Sequence, residues 1–321
     1  MAALGRVCRA IAASFAVVGS LFVFPNAIPW MIAAWLVGYT LLVVFGRRGH
    51  LCLIGCLAVL VGKRPTPAPG LLGLMAVMSA IALLSLWHVR RREATTSRRF
   101  AWLSMLMLWI AWGGMTVDWY AAAHCRHPLV LRADRPVVCF GDSMTSLGAF
   151  GGYPRNLQGM ISLPVVNLGI SGISAKETAQ EHLLKLAHLN PQVVVIELGG
   201  HDFLHGASRP ATKAYLKKVI DTVRQSDAEA VLMEIPRGFI SDPYWGLERE
   251  VARQEDVELV PDTAMRELLL RSTAFPPGTW LGEPYLTDET GIHPNERGKQ
   301  LLAEHIAASL ERMYGPGVRK H

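Results

Sequence analysis

Two patterns of hydrophobic and polar positions divide the chain near residue 128. Before that point, apolar residues form long runs that few charges interrupt. After it, apolar runs of about five residues alternate with amphipathic stretches. The first pattern is typical of helices in lipid and the second of an α/β domain. We therefore expect two domains, a transmembrane helical region at 1–127 and an α/β domain at 128–321.

The apolar half contains five candidate membrane helices. A helix needs about 20 apolar residues to cross the hydrocarbon core. The last two runs meet that length, and the second nearly does. The first run breaks at Pro25 and Pro29, so it can pair with the second as a hairpin, and the third run can either cross or turn back. The runs are 10–24, 28–45, 50–62, 70–87 and 100–121.

Basic residues between the apolar runs predict the orientation. Arginines cluster before the first run, after the second and before the fifth, and such loops stay in the cytoplasm. Five spans satisfy all three clusters and place the second domain outside the cytoplasm. Lys63 and Arg64 oppose this arrangement, so four spans remain an alternative. We expect a multi-pass protein of the cytoplasmic (inner) membrane with a periplasmic second domain.

The second half predicts a flavodoxin-like open sheet of five parallel strands with intervening helices. Its short apolar runs resemble strands buried on both faces. Ser174 and Glu177 form a capping-box pattern that begins a helix ending near Leu189. The expected strands are Pro136–Phe140, Pro164–Leu168, Gln192–Leu198, Glu229–Ile235 and Val257–Val260, and the other expected helices are Ala211–Gln225, Asp262–Arg271 and Asn295–Met313.

Composition narrows the possible functions. Only 18% of residues are charged, against about 25% in soluble domains. Residues 1–127 hold 12 basic and 2 acidic side chains, whereas 128–321 hold 20 basic and 24 acidic ones. The positive charge therefore lies in the apolar half, which argues against nucleic acid as a partner. Cys139 lies in a predicted strand, so no disulfide is expected, and the sequence implies no metal and no organic cofactor.

Candidate catalytic residues follow the predicted strands. Ligands bind at the carboxyl ends of strands in such a sheet. Ser143 follows the first strand, Gly169 the second and His201 the third, while His293 precedes the last helix. A hydroxyl, an imidazole and backbone N–H donors are the components of an acyl-transfer site. Each residue alone also fits an ordinary turn or helix start, and their common location favours catalysis.

Four sequence blocks carry a resemblance to a known family. They are Phe140-Gly141-Asp142-Ser143-Met144-Thr145, Val165 to Gly172, Val195 to Asp202, and Gly291-Ile292-His293-Pro294-Asn295. In order and spacing they resemble the SGNH (GDSL-type) hydrolase superfamily, particularly its arylesterase and thioesterase-like bacterial members. The resemblance implies that Ser143 is the nucleophile and His293 its general base. It also implies that the N–H groups of Ser143 and Gly169 form two arms of an oxyanion hole.

Two positions depart from the family pattern. The family's third oxyanion donor is an asparagine, and here that position is His201, whose ring N–H can donate the same bond. The family also places an aspartate three residues before the catalytic histidine, where this chain has Thr290. Either the nearby Asp288 or the Thr290 carbonyl can orient the His293 ring, and the sequence does not decide between them.

The combined expectation is a serine esterase that hydrolyses an acyl or O-acetyl ester through an acyl-serine intermediate at the membrane surface. Its substrate would be a cell-surface glycan or a lipid. An acyltransferase to a glycan or lipid hydroxyl and a decayed binding or assembly protein are the alternatives. Two aromatic loops, 237–249 and 274–286, either pack on their own domain or form an acyl-binding wall or a bilayer-facing surface.

Overall fold

The chain divides into two units in the computed structural model. The first comprises Met1–Ala122 with Gly238–Trp245, and the second comprises Ala123–Arg237 with Gly246–His321. The structure describes residues 14–20, 28–45, 49–63, 69–91, 95–121, 129–146, 151–182, 184–235, 237, 243–244, 246–261, 265, 286–288 and 293–320.

Between residues 14 and 121, the described residues of the first unit are helical apart from Phe45 and Gly49. Each helix falls on one of the predicted apolar runs. Two of the helices contain stretches long and apolar enough to cross a membrane, Pro69–Trp87 and Arg99–Tyr120, judged by length and composition. The number of membrane crossings stays a prediction. The helices are α1 (14–20), α2 (Ile28–Val44), α3 (His50–Lys63), α4 (Pro69–Arg91) and α5 (Thr95–Ala121).

Close helix packing and a few polar bonds hold the first unit together. A side chain at Gly70 would place its Cβ 2.9 Å from the Met115 Cα, so glycine lets α4 and α5 approach closely. The Gly70 N–H donates to Asp118 Oδ2 (3.2 Å), and Trp112 Nε1 donates to the Pro29 carbonyl (2.8 Å). Because an unbonded polar group is costly in apolar surroundings, these bonds specify how the helices pair.

The second unit is built on a parallel five-stranded sheet with the order β2-β1-β3-β4-β5. Val137 pairs with Val165 on one side and with Val193 on the other. This order is the flavodoxin-like one, and its switch point lies between β1 and β3. The predicted fold class of this domain is therefore confirmed. The strands are β1 (Val137–Gly141), β2 (Val165–Asn167), β3 (Val193–Glu197), β4 (Glu229–Met233) and β5 (Glu258–Val260).

Four of the five strands, β2 to β5, are one or two residues shorter than predicted, because the paired register is shorter than the apolar run, whereas β1 has the predicted length but lies one residue later in the chain. Every residue of β1 and β3 is buried, as expected for parallel strands covered on both faces, whereas β2 at the edge is only partly buried. The helices are α6 (Ser143–Ser146), α7 (Tyr153–Met160), α8 (Ala175–Glu177), α9 (Leu184–Leu189), α10 (Gly200–Leu204), α11 (Arg209–Gln225), α12 (Leu247–Glu255) and α13 (Glu296–Tyr314).

Helices cover both faces of the sheet. One core cluster joins inward residues of β1, β3 and β4 to side chains of α7 and α13. The alternate strand residues face the other side, where α11 buries Leu216, Val219 and Ile220. The last helix begins where expected because the Asn295 side chain accepts the N–H groups of Arg297 and Gly298.

Two predicted helices differ in detail. The Ser174–Glu177 capping box forms, but the helix it begins contains a π-helical turn at Thr178–His182 before it reaches Leu189. The α11 helix begins two residues earlier than predicted because Ser208 caps it and a proline occupies its first turn. The predicted helix Asp262–Arg271 lies outside the described residues apart from Met265, which is helical.

Candidate active site

Ser143 lies at the start of a short helix directly after β1. The Asp142 carbonyl accepts the N–H groups of Thr145 (3.1 Å) and Ser146 (2.9 Å). The Asp142 carboxylate accepts the N–H of Met144 at 2.9 Å through Oδ1. These three bonds hold the turn on both sides of Ser143. The sheet thus ends in a rigid turn at the edge where ligands bind in this class of fold.

His293 lies beside Ser143 although 150 residues separate them in the chain. Its Nε2 lies 3.0 Å from the Ser143 Oγ, which is within hydrogen-bonding distance. The His293 side chain is 28% exposed, so both substrate and solvent can reach it. The predicted pairing of this hydroxyl with this imidazole is therefore present in the structure.

A short antiparallel contact holds the backbone of His293. The Asp288 N–H donates to the His293 carbonyl at 2.8 Å, and the Asn295 N–H donates to the Leu286 carbonyl at 2.9 Å. Asn295 also donates from Nδ2 to the Thr287 carbonyl (3.1 Å). Because Asn295 caps α13 as well, one residue fixes both the helix start and the histidine segment.

Asp288 approaches the other nitrogen of the His293 ring. Its Oδ2 lies 3.6 Å from His293 Nδ1, which is longer than a hydrogen bond but within ion-pair distance of a protonated ring. The Asp288 side chain is 39% exposed. Glu289 and Thr290 lie outside the described residues, so the rival interpretation, the Thr290 carbonyl, is left as a prediction.

Gly169 packs against the helix that carries Ser143. A Cβ at Gly169 would lie 2.5 Å from the Ser146 nitrogen, so only glycine fits at this approach. The Gly169 N–H donates to the Asn167 Oδ1 at 2.8 Å, while Asn167 Nδ2 donates to the Thr145 carbonyl at 3.1 Å. Asn167 therefore bridges the Ser143 helix and the loop of Gly169.

The contact from Asn167 to Gly169 was not anticipated from the sequence. An asparagine two residues before a glycine is typical of an Asx turn, in which the side chain accepts the backbone N–H two residues on. The N–H group predicted as an oxyanion donor is consequently bonded already. An incoming carbonyl oxygen has to share or replace the Asn167 acceptor.

His201 lies in α10 beside the turn that carries Ser143. Its Nε2 is 3.7 Å from Asp142 Oδ2, and its side chain is 24% exposed. Gly199 has a φ of 115°, a conformation that favours glycine and that begins this short helix. The adjacent Asp202 is buried and caps α8 by accepting the N–H groups of Ala175 (2.6 Å) and Lys176 (3.3 Å).

Two buried ionisable side chains near the site, Glu197 and Arg237, are not among the residues predicted from the sequence. Glu197 accepts the Asp142 N–H and the Thr145 hydroxyl, and burial together with the Asp142 charge raises its pKa well above the usual value. Arg237 donates to the Gly199 carbonyl (3.3 Å) and pairs with the buried Glu248. Burial outweighs Arg237 and raises the pKa of Glu248 to about 6.

The described residues contain no metal site, and most residues of the two predicted aromatic loops lie outside them. Across the described ranges, no group of three His, Cys, Asp or Glu side chains is arranged to hold a metal ion. The predicted loop residues Phe239, Trp245, Phe275, Trp280 and Tyr285 lie outside the described residues. Tyr244 is described and buried.

The fold and the site together define a class of protein. A doubly wound α/β domain presents a serine hydroxyl and a histidine ring 3.0 Å apart at the carboxyl edge of its sheet, which is the arrangement of a serine-dependent hydrolase. The model of the GDSL-like Lipase/Acylhydrolase family matches residues 139–301, half of the chain. The chain belongs to this family and is an ester hydrolase of the GDSL type.

The chain is also similar to individual proteins. The chain is 28% identical to "Thioesterase 1/protease 1/lysophospholipase L1" of Escherichia coli K12 over 189 residues, which cover 54% of this chain and 83% of that protein. It is also 28% identical to the "Arylesterase" of Vibrio mimicus over 46% of this chain and 69% of that one. The crystal structure of the psychrotrophic esterase EstA from Pseudoalteromonas sp. covers 56% of this chain and 98% of its own, at 20% identity and a TM-score of 0.46.

Proposed function

We propose that the chain is a serine esterase that works through an acyl-Ser143 intermediate at a membrane surface. The 3.0 Å contact between Ser143 Oγ and His293 Nε2 carries this proposal. A hydroxyl is a weak nucleophile, and an adjacent neutral imidazole activates it by accepting its proton as the oxygen attacks. The pair therefore supplies both the attacking atom and the base.

The reaction proceeds in two halves. Ser143 Oγ attacks the ester carbonyl carbon while its proton passes to His293 Nε2. The tetrahedral intermediate then expels the alkoxide, which takes the proton from His293 and leaves as an alcohol. Water attacks the acyl-serine with His293 again as the base, and collapse of the second intermediate releases the acid and restores the Ser143 hydroxyl.

Three donors surround the position of the developing oxyanion. The Ser143 N–H lies in the first turn of α6, where a helix leaves its N–H groups without an internal partner. The Gly169 N–H turns to the oxyanion when the Asn167 side chain gives way. His201 supplies the third donor in place of the family's asparagine. One such donor typically contributes about 10²–10³ in rate.

Asp288 orients His293 in this proposal. A carboxylate near Nδ1 favours the tautomer that leaves Nε2 free to accept the serine proton, and it stabilises the imidazolium that follows. The separation of 3.6 Å and the partial exposure of Asp288 weaken this effect relative to a buried hydrogen-bonded pair. Asp288 is therefore a helper whose loss slows the enzyme without stopping it.

The substrate is proposed to be an acyl or O-acetyl ester of a lipid or a cell-surface glycan. Residues 1–127 would hold the enzyme in the cytoplasmic membrane, and residues 128–321 would form the catalytic domain on its outer side. The two long apolar helices and the arginine-rich loops between apolar runs support this arrangement. The mechanism requires no cofactor.

Ester hydrolysis by the purified full-length chain tests the proposal. A series of p-nitrophenyl esters from acetate to long acyl chains is offered to the wild type and to Ser143→Ala. We expect turnover by the wild type and none above background by the variant. Preference for acetate would indicate O-acetyl glycans, and preference for long chains would indicate lipids. Equal hydrolysis by both proteins would refute the proposal.

A further inference from the structure

Glu197 is a buried acid directly behind the turn that carries Ser143. It ends β3, a strand that is otherwise entirely apolar, and is 1% exposed. Its Oε2 accepts the Asp142 N–H at 3.1 Å and the Thr145 hydroxyl at 3.1 Å. The two partners lie on either side of Ser143, so Glu197 connects the centre of the sheet to both ends of the nucleophile turn.

The neighbour of Glu197 is a second buried carboxyl group, that of Asp142. Asp142 is 6% exposed, and its N–H donates to Glu197 Oε2 at 3.1 Å, so the two buried acids are neighbours. Two carboxyl groups that share a buried site do not both ionise readily, so one of them keeps its proton. Among the residues that the structure describes, no lysine or arginine forms an ion pair with either group, so two adjacent charges would be unscreened.

The surroundings decide which carboxyl group keeps the proton. Asp142 has stabilising partners for a negative charge, the Met144 N–H on Oδ1 (2.9 Å) and His201 Nε2 at 3.7 Å from Oδ2. Glu197 is more deeply buried, and burial and the Asp142 charge both raise its pKa well above the usual value. The proton therefore belongs on Glu197 and the charge on Asp142.

We propose that Glu197 is a positioning residue that stays protonated beside the Asp142 carboxylate and holds the Ser143 turn by accepting the Asp142 N–H and the Thr145 hydroxyl. This inference builds on the proposed function, because the turn it stabilises is the one that presents the Ser143 hydroxyl. The neutral Glu197 fixes the Asp142 backbone, and the Asp142 carboxylate in turn accepts the Met144 N–H. Glu197 touches no substrate.

The remaining titratable group near Glu197 is Tyr153, and it does not change which carboxyl group is protonated. The Tyr153 hydroxyl lies 3.5 Å from Thr145 Oγ1, so a chain of hydroxyl groups runs from Tyr153 through Thr145 to Glu197. Burial raises the pKa of Tyr153 well above its usual value, so this side chain stays neutral through the same pH range. Asp142, His201 and Tyr153 are thus the titratable groups that bear on the pair.

The pH dependence of stability tests the protonation directly. A carboxyl group whose pKa is raised on folding binds more protons in the folded chain than in the unfolded one, so it lowers stability increasingly as pH rises above its unfolded value of about 4.3. Glutamine does not titrate, yet its amide oxygen keeps an acceptor for the Asp142 N–H and the Thr145 hydroxyl. Glu197→Gln should therefore gain in melting temperature over the wild type as pH rises.

The expected gain is roughly 2–4 °C per pH unit between about pH 5 and pH 7, measured on the full-length chain. Glu258→Gln is the matched control, since Glu258 is equally buried but pairs with Arg312 at 2.8 Å. That variant should show no gain of this kind. A Glu197→Gln curve that runs parallel to the wild type at every pH would overturn the inference.

Reaction with a fluorophosphonate probe tests the positioning role. Glu197→Gln should recover most of the Ser143 labelling rate that Glu197→Leu loses, and the loss in Glu197→Leu should be at least about tenfold, because leucine cannot bond Asp142 or Thr145. If glutamine is as slow as leucine while still folded, an ionised glutamate is required and the inference is wrong. Failure of the proposed function has a different signature, an absence of Ser143 labelling in the wild type.

Discussion

The two units of the chain arrange polar and apolar groups in opposite ways. In the first, large apolar side chains face outward along the helices, and polar groups between the helices are hydrogen-bonded to one another, as Trp112 is to the Pro29 carbonyl. In the second, the surface is polar and buried acids gather at one edge of the sheet, beside Ser143. In both units, burying a polar group is costly unless it has a hydrogen-bonding partner. We propose that the difference arises because the first unit is surrounded by lipid and the second by water.

The comparison locates the chemistry. Burying an acidic side chain lowers stability unless its charge is compensated, so a buried acid often has a specific role. Three buried acids of the second unit lie at the carboxyl ends of the central strands: Asp142, Glu197 and Asp202. The first unit buries mainly apolar residues between its helices. Changes at this edge of the second unit's sheet should therefore affect turnover, and changes on the first unit's outer faces should affect membrane insertion.

The largest expected effect is at the catalytic pair. Ser143→Ala and His293→Ala should each lower kcat/KM for a p-nitrophenyl ester by about 10⁴-fold or more, because each removes a component without which the other cannot act. Ser226→Ala, a serine change at the end of α11, is the control and should keep wild-type turnover. Substantial activity in either catalytic variant would move the chemistry away from this edge of the sheet.

The second-largest expected effect distinguishes the outer face of α5 from the surface of the second unit. Ile110 on α5 is 67% exposed and Leu204 after His201 is 70% exposed, so they are matched in type and accessibility. Ile110→Asp should reduce the membrane-inserted fraction severely, since an aspartate at the centre of a spanning helix costs about 3 kcal/mol. Leu204→Asp should leave the membrane-inserted fraction unchanged.

Quantitative fractionation of cell membranes measures both variants. Equal insertion of Ile110→Asp and the wild type would mean that the outer face of α5 contacts water or protein, and the contrast between the two units would then be lost.

A smaller effect is expected at Asp288. Asp288→Asn should lower kcat roughly tenfold, well short of the 10²–10⁴ that a full acid–base partner supplies, because its carboxylate is 3.6 Å from the ring and partly exposed. Steady-state kinetics of the purified variant measure it. Full activity would assign the orienting role to the Thr290 carbonyl, and complete inactivity would make Asp288 an obligatory triad member.

The smallest effect is expected at His201. His201→Asn should retain activity within about threefold of the wild type, because the asparagine amide can donate the hydrogen bond that the ring N–H supplies. Steady-state kinetics of the purified variant measure it. An inactive His201→Asn would show that the ring does more than donate a bond to the oxyanion.

Much of this edge of the sheet is predictable from the sequence. Apolar runs identify the strands, and the residues that follow strands in such a sheet fall at its binding edge, which is how Ser143, Gly169 and His201 are found. The predicted proximity of Ser143 and His293 holds in the structure. The predicted C-terminal ends of β2, β3 and β4 lie beyond the observed ends, because residues such as Leu198 continue the apolar pattern after the strand has ended.

Other parts of the site have local signals that the predictions did not use, or depend on contacts between distant segments. Glu197 carries a usable signal, a charge at the end of a strand predicted to be buried on both faces. The pairing of Arg237 with Glu248 and the Gly199 carbonyl depends on how separate loops meet, which spacing along the chain does not encode. The Asx turn from Asn167 to Gly169 is a local signal that went unused, and it changes which N–H groups are free before substrate binds.

Covalent labelling of the full-length chain with a fluorophosphonate, followed by peptide mass spectrometry, tests the central claim most directly. The account predicts one modified residue, Ser143, with labelling that disappears in His293→Ala because the hydroxyl then has no base. Modification of a different serine, or equal labelling of Ser143 with and without the His293 imidazole, would contradict it.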